Sequence, residues 1–199
     1  MSRLDAFARG FSTNLALIGG LMLIASAVYV SAEVLGRRFF GFSLGGANEM
    51  SSYALAISSA WAFSYAVYER AHIRIDAAYQ LGSPAVRAFI DVLSMAALAA
   101  TGALLLWFSF RLVAFAWTNE QRANTPLQTP MWIPLALWYS GLVLFFLISL
   151  LVTVRAALAW ARGDYALVTR IAGMASSEAE LEAPELVAAA ERSAAKKPS

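Results

Sequence analysis

The chain has 199 residues, of which 60% are hydrophobic and only 14% are charged, with a formal net charge of +2 at pH 7. Soluble domains average about 45–50% apolar residues even when glycine is counted, so this composition predicts a membrane protein. The small, scattered positive charge argues against nucleic-acid binding, and the lack of cysteine excludes disulfides and thiolate-bound metal. With a single histidine, bis-histidine haem ligation within the chain is also excluded, and we expect no cofactor.

Four apolar runs predict an all-α membrane protein with four transmembrane helices. Residues 2–12 place apolar side chains at helical spacing, which predicts a short helix lying in the membrane interface. The first run, about Leu15 to Leu35, has the roughly 20 residues that cross a hydrocarbon core. The second run, about Met50–Tyr68, follows a loop over Phe39–Ala47. The third, about Val86–Trp117, follows a charged elbow, and the fourth, about Met131–Ala159, follows a loop over Thr118–Pro130.

An alternative for the first run is a cleaved signal peptide. Arg3 and Arg9 precede the apolar stretch, and Ala25-Ser26-Ala27 is typical of a cleavage site. The run continues past this point to Leu35, which is longer than a usual signal sequence and favours a retained helix.

Charged residues near the runs are interpreted as anchors. Glu33 and Arg37 have i,i+4 spacing with the acid first, the favourable order for a helical ion pair. Asn48 is predicted to be the N-cap of the second helix, and Glu49 places a negative charge in its first turn, where the helix dipole favours it. Arg111 lies within about two turns of Trp117 and is expected to reach the interface there, which favours a structural role over substrate contact. The acids nearest the bilayer all lie at predicted helix ends, where anchoring is favoured over ion transport: Glu33, Glu49, Asp76 and Asp91.

The distribution of arginine predicts the orientation. If the N-terminus is cytoplasmic, eight arginines lie on the inside and three on the outside, so the positive-inside rule places both termini in the cytoplasm. The outside residues are Arg37, Arg38 and Arg122. We therefore expect an interfacial segment over residues 1–12, a four-helix domain over 13–162 and a mobile Ala/Glu-rich cytoplasmic tail over 163–199.

The second run also carries a stripe of small side chains. Ser52, Ala56 and Ala60 recur every four residues, which predicts close packing against another helix. The elbow that follows, Glu69–Asp76, contains the only histidine, His72. No nucleotide-binding, nucleophile or metal-ligand motif is present in the sequence, so we assign no catalytic, metal or substrate residue and predict that the chain is not an enzyme.

An ordered set of motifs resembles one family. Arg37-Arg38-Phe39-Phe40-Gly41-Phe42-Ser43 is followed by Glu49, then by Arg70-Ala71-His72-Ile73-Arg74-Ile75-Asp76 and by Thr129-Pro130-Met131-Trp132-Ile133-Pro134. Over about residues 10–160 the chain resembles the small, four-helix (Q-type) membrane subunit of tripartite ATP-independent periplasmic (TRAP) transporters. The resemblance marks these structural or interface positions: Arg37, Arg38, Glu49, Arg70, His72, Asp76, Pro130 and Trp132.

This resemblance implies a multi-pass subunit of the bacterial inner membrane in an ATP-independent, ion-coupled importer of an organic acid. Its partners would be a large multispanning membrane subunit, for which it acts as a scaffold, and a periplasmic substrate-binding protein. We expect the small-residue stripe or the long third helix to contact the large subunit, and Arg37, Arg38, Glu120 and Arg122 to face the binding protein.

Two alternatives belong to other classes. A self-sufficient four-helix exporter requires a carboxylate near the middle of a span, whereas Glu33 is at a predicted helix end. A membrane anchor of a redox complex requires haem or quinone ligands, and one histidine is too few for bis-histidine haem. Co-purification from the native host separates the three classes.

Overall fold

The computed structural model describes residues 3–43, 45–70 and 82–173. Within these residues the regular elements are helices, and the only β pairing is an isolated bridge between Arg122 and Pro130. The helices are α1 (Arg3–Phe40), α2 (Ala47–Tyr68), α3 (Pro84–Thr118), α4 (Trp132–Ala161) and α5 (Tyr165–Ala172). The all-α class predicted from the apolar runs is confirmed for these residues.

Helix α1 is one uninterrupted helix of 38 residues. This differs from the prediction of a separate short helix over residues 2–12 and of a loop beginning at Phe39. At the predicted junction the Ser12 and Thr13 hydroxyls donate to the backbone carbonyls of Ala8 and Arg9, each at 2.9 Å. The hydroxyls are thus satisfied within the helix, and Gly10 alone does not break it because glycine costs only about 1 kcal/mol at such a position.

Among the described residues, three helices are long and apolar enough to cross a membrane: Ala8–Phe40 within α1, and all of α3 and α4. Helix α2 is not among them. Five of its 22 residues are serines, which lowers its hydropathy although its length suffices. The membrane character of the chain is therefore supported, while a fourth span and the cytoplasmic position of both termini remain predictions.

The described residues fall into two compact units, the first with residues 3–43, 45–70 and 98–149 and the second with residues 82–97 and 150–173. In the first unit, α2 packs closely on α1. The buried Ser58 hydroxyl of α2 donates to the Gly19 carbonyl of α1 at 2.8 Å, and a Cβ at Gly19 would lie 3.1 Å from the Ser58 Cα. Glycine at this position therefore allows the two backbones to approach, as in other membrane helix pairs.

Helix α4 also approaches α2 within the first unit. Gly141 faces Ala60, where a Cβ on the glycine would lie 2.7 Å from the Ala60 carbonyl carbon. The Trp61 indole N–H lies 3.2 Å from the Ser140 hydroxyl and 3.3 Å from the Leu137 carbonyl oxygen. Helix α2 therefore has packing contacts with both α1 and α4.

The parts of α3 and α4 in the first unit are joined by a small-residue strip and aromatic contacts. Gly102, Ser109 and Ala116 are buried at seven-residue spacing, so they share one side of α3. At the end of this pair, Trp117 and Trp132 meet edge to face with ring centroids 4.8 Å apart. Small residues therefore permit close packing, and the two indoles join the last turn of α3 to the first turn of α4.

The second unit contains a helix that was not predicted from the sequence. Helix α5 begins after Asp164, whose side chain accepts a hydrogen bond from the Leu167 amide at 3.0 Å. Val168 and Ala172 are fully buried on one side of α5. Ordered structure thus continues past residue 163, where the tail was predicted to begin; the predicted tail beyond residue 173 lies outside the described residues.

Candidate functional site

Several hydrogen-bonded polar residues of the first unit lie at one end, which we call the loop end. It comprises the last two turns of α1, residues 41–46, the first two turns of α2 and residues 119–131. A cavity of about 560 Å³ lies there, lined by both loops and by the two helix ends. Four segments of the first unit therefore meet at the loop end, and the cavity between them is lined by Glu33, Arg37 and Glu49 among others.

Glu33 organises the first half of the loop end. Its side chain is 3% exposed, and its carboxylate accepts from Arg37 at 2.7 Å and from the Ser43 hydroxyl. Nearby, the Tyr29 hydroxyl donates to the Gly45 carbonyl at 2.6 Å. The i,i+4 pair predicted from the sequence is confirmed, and the same carboxylate also holds loop 41–46 against α1.

The start of α2 differs from the prediction that Asn48 caps it. The N-cap residue is Gly46, with φ of 67°, and no side chain caps the helix. Asn48 lies inside the first turn, where its carbonyl accepts from the Ser51 and Ser52 hydroxyls at 3.0 and 2.8 Å. Glycine occupies the cap because it adopts this left-handed backbone without a steric penalty.

Glu49 organises the second half of the loop end. It is 7% exposed and accepts from the Tyr53 hydroxyl at 2.8 Å and from the Thr125 hydroxyl of the second loop. Glu49 precedes the apolar run that begins near Met50. Hydrogen bonds from Thr125, the larger cause, and from Thr129 hold the pKa of its carboxyl below the ordinary 4.5. The carboxylate therefore ties residues 119–131 to the first turn of α2.

This network predicts a measurable acid dependence. Because the pKa of Glu49 is lowered in the folded protein, its ionised form stabilises the fold above pH 4.5, and this contribution is lost as pH falls through the lowered pKa. We expect Glu49→Gln to make the melting temperature less sensitive to acidification below pH 4.5. Thermal unfolding of the detergent-purified protein measures this. Glu120→Gln, which changes an exposed glutamate, is the control and should follow the wild type; an equally steep curve for Glu49→Gln contradicts the assignment.

The second loop, residues 119–131, has its own hydrogen-bonded framework. The Ala123 amide donates to Thr129 O and the Met131 amide to Gln121 O, each at 2.9 Å, on either side of the bridge between Arg122 and Pro130. A cleft of about 430 Å³ lies against it, lined by Trp117, Glu120, Gln121, Arg122, Pro130 and Trp132. The loop is thus a shaped surface rather than an extended linker.

The four residues predicted to face a binding protein lie on two elements of the first unit. Arg37 and Arg38 lie in the last turn of α1 and are exposed, and Glu120 and Arg122 are exposed on the second loop. Arg37 lines the cavity of about 560 Å³, whereas Glu120 and Arg122 line the separate cleft of about 430 Å³. Their proposed role in docking stays a prediction.

Other predicted positions are placed differently. In the small-residue stripe, Ala60 is fully buried against α4, whereas Ser52 and Ala56 are exposed. Only one of the three residues therefore packs against another helix of this chain. At the opposite end of α2, Glu69 pairs with Arg9 at 2.8 Å and Arg70 adopts a φ of 53°. His72 and Asp76 lie outside the described residues, and their family-like roles remain predictions.

The hydroxyl donors of the loop end were not predicted from the sequence. Ser43, Tyr53 and Thr125 each donate to a buried glutamate, and the contact between Thr125 and Glu49 joins residues 76 positions apart. Only the Glu49–Tyr53 contact carries a local signal, because residues four apart share a helix face. The loop contacts have no local signal in the sequence.

The described residues contain no group of three or more His, Asp or Glu side chains placed to hold a metal ion.

In a comparison with protein families, residues 13–159, well over half of the chain, match the model described as "Tripartite ATP-independent periplasmic transporters, DctQ component". Neither the comparison with curated proteins nor that with solved structures gives a match.

Proposed function

We propose, from the premise that this chain belongs to the DctQ component family of tripartite ATP-independent periplasmic transporters, that it is the scaffold subunit of an importer. Members of this family are the small membrane subunits of such transporters. We further propose that the system is driven by an ion gradient and takes up an organic acid across the bacterial inner membrane. Its partners are the large membrane subunit and a periplasmic binding protein.

The continuity of the long helices is the observation that carries the scaffold role. Helices α1, α3 and α4 have 38, 35 and 30 residues, and each is uninterrupted. Secondary transporters bind substrates and ions where membrane helices are broken and expose backbone groups. Unbroken helices with small-residue packing sites suit a subunit that supports the transport pathway formed by another chain.

The loop end suits contact with the periplasmic partner. The predicted orientation puts both of its loops on the outside, where Arg37, Arg38, Glu120 and Arg122 are exposed. The buried glutamates fix the loops behind this exposed surface. We propose that the loop end helps to position the binding protein while the large subunit carries the substrate.

Co-purification from native membranes tests the proposed function. The tagged chain should bring down a large multispanning protein, and uptake of an organic acid should require both membrane chains and the binding protein. Isolation of a homodimer alone would instead support a small exporter, and a coloured, redox-active complex would support a membrane anchor. Either result would overturn the proposal.

Replacing Ala56 by tryptophan tests one proposed contact with the large subunit. Ala56 is exposed on α2, and a bulky ring there would prevent a neighbouring helix from approaching closely. We expect Ala56→Trp to reduce the co-purified large subunit about tenfold, a loss of about 1.4 kcal/mol of binding free energy. Ala166→Trp, at an exposed alanine of α5, is the matched control. Unchanged recovery with Ala56→Trp would exclude this face as the contact.

A further inference from the structure

Helix α3 presents an apolar face to the outside of the first unit. Leu104, Trp107, Phe108 and Phe115 are each more than half exposed, and because the last three follow Leu104 by 3, 4 and 11 residues, all four lie on one side of the helix. The buried strip of Gly102, Ser109 and Ala116 is on the opposite side. Arg111 is exposed at the centre of the apolar side. We call these five exposed residues, Leu104, Trp107, Phe108, Arg111 and Phe115, the Arg111 face.

Arg111 lies within the apolar part of the helix rather than at its end. The Trp117–Trp132 contact marks an aromatic level typical of a membrane surface. Arg111 precedes Trp117 by six residues, which corresponds to about 9 Å along a helix. The arginine backbone is therefore well inside the hydrocarbon region if these tryptophans lie at its boundary.

The side chain of Arg111 points farther inward. Its guanidinium carbon lies 5.9 Å from the centroid of the Trp107 ring, one turn earlier in the helix. This differs from the expectation that the side chain extends the other way, toward Trp117. Helical side chains lean toward the helix N-terminus, and the Trp107 ring offers a cation–π contact in that direction. Arg111 thus carries its charge toward the middle of the span.

An arginine in this position requires a polar partner. Charged side chains within membrane spans almost always face protein or water and pair with an opposite charge or a backbone carbonyl. Within the part of the chain that the structure describes, no carboxylate pairs with Arg111, and its guanidinium instead contacts the Trp107 ring. Lipid tails provide no counter-charge, so the Arg111 face is poorly suited to lie against hydrocarbon.

We propose that the Arg111 face binds a helix of the large membrane subunit and that Arg111 pairs with a carboxylate presented by that helix. The inference rests on the proposed function and adds to it the chemistry of the partner. Trp107, Phe108 and Phe115 would surround the ion pair, exclude lipid and water, and strengthen the attraction by lowering the local dielectric constant. One charge within an aromatic surface also fixes the register of the two helices.

The test uses the complete complex, with the large subunit co-expressed and the present chain tagged. Arg111→Gln removes the charge but keeps a polar side chain, and we expect about tenfold or greater loss of the co-purified large subunit. Arg111→Lys should retain more of it because the charge remains. Arg162→Gln, which removes an exposed arginine in the second unit, is the control and should match the wild type.

A charge exchange identifies the partner group. Arg111→Glu should abolish assembly, and changing one aspartate or glutamate of the large subunit to arginine should restore it. A photoreactive residue at Phe108 should form a cross-link to the large subunit, which tests contact without removing Arg111. Failure of every acidic-to-arginine change to restore assembly, together with no cross-link from Phe108, would overturn the proposal.

Two further outcomes separate this inference from the broader function. If Arg111→Gln recovers the large subunit at the wild-type level but loses bound phosphatidylglycerol, measured by mass spectrometry, the face binds lipid and the inference is overturned. The proposed function then survives. If the wild-type chain recovers no large subunit, the proposed function and the inference are both overturned.

Discussion

Replacing Gly141 by alanine is expected to lower the stability of the protein by about 1–3 kcal/mol, the usual cost of adding a methyl group to a tightly packed site. The added Cβ would lie 2.7 Å from both the Ala60 carbonyl carbon and Trp61 Cδ1, and 2.8 Å from the Ala60 Cβ. Two of these atoms belong to Ala60, which is fully buried and cannot rotate away. Helices α2 and α4 must therefore separate to accept the methyl group.

The measurement is thermal unfolding in detergent combined with the yield of monodisperse protein. Gly20→Ala is a matched control, because Gly20 is also within a helix but has open space where its Cβ would be. That change should be neutral or slightly stabilising, since alanine favours a helix by up to about 1 kcal/mol. If the two variants melt at the same temperature, the close approach of α2 and α4 is not a source of stability.

Replacing Gly46 by alanine is expected to impair uptake strongly while leaving the complex with the large subunit assembled. Gly46 has a φ of 67°, which costs a residue with a Cβ about 1–2 kcal/mol. The added Cβ would also lie 2.1 Å from Leu127 Cδ1, so the side chain of Leu127 must move. Because Leu127 belongs to the second loop, this change distorts the loop end, where we propose that the binding protein docks.

The matched control is Gly41→Ala. Gly41 has the same φ of 67°, but a Cβ added there would have no atom within 4 Å, so this variant has the backbone strain without the collision. Uptake should be measured at increasing concentrations of binding protein, with Gly46→Ala requiring more of it than Gly41→Ala. Adding Leu127→Ala to Gly46→Ala should restore part of the activity. Equal uptake by the two glycine variants would contradict a role for the Leu127 contact.

The long helices were predictable because their signals are local. Apolar runs gave the positions of α1 through α4 to within a few residues except at the start of α1, and the i,i+4 spacing gave the Glu33–Arg37 pair. Helix α5 was missed because it has only eight residues and one turn of apolar pattern. Its Asp164 cap is a recognisable helix start, so that signal was available in the sequence.

The loop end was predictable only in part. The exposed arginines and Glu49 were selected, but the contact between Glu49 and Thr125 joins residues 76 positions apart, and its formation depends on the path of the second loop. The cap was assigned to Asn48 because asparagine is favoured there, whereas the left-handed backbone at this turn requires glycine. The Glu49–Thr125 contact and the position of the helix cap therefore depend on tertiary geometry, which residue preferences do not contain.

The edge-to-face contact between Trp117 and Trp132 gives the protein an internal optical reporter. Two indoles with centroids 4.8 Å apart couple their electronic transitions, and the resulting circular dichroism depends on the distance and angle between the rings. One ring belongs to the last turn of α3 and the other to the first turn of α4, on either side of the second loop. Movement of that loop against a partner therefore changes an intrinsic spectroscopic signal, without any attached label.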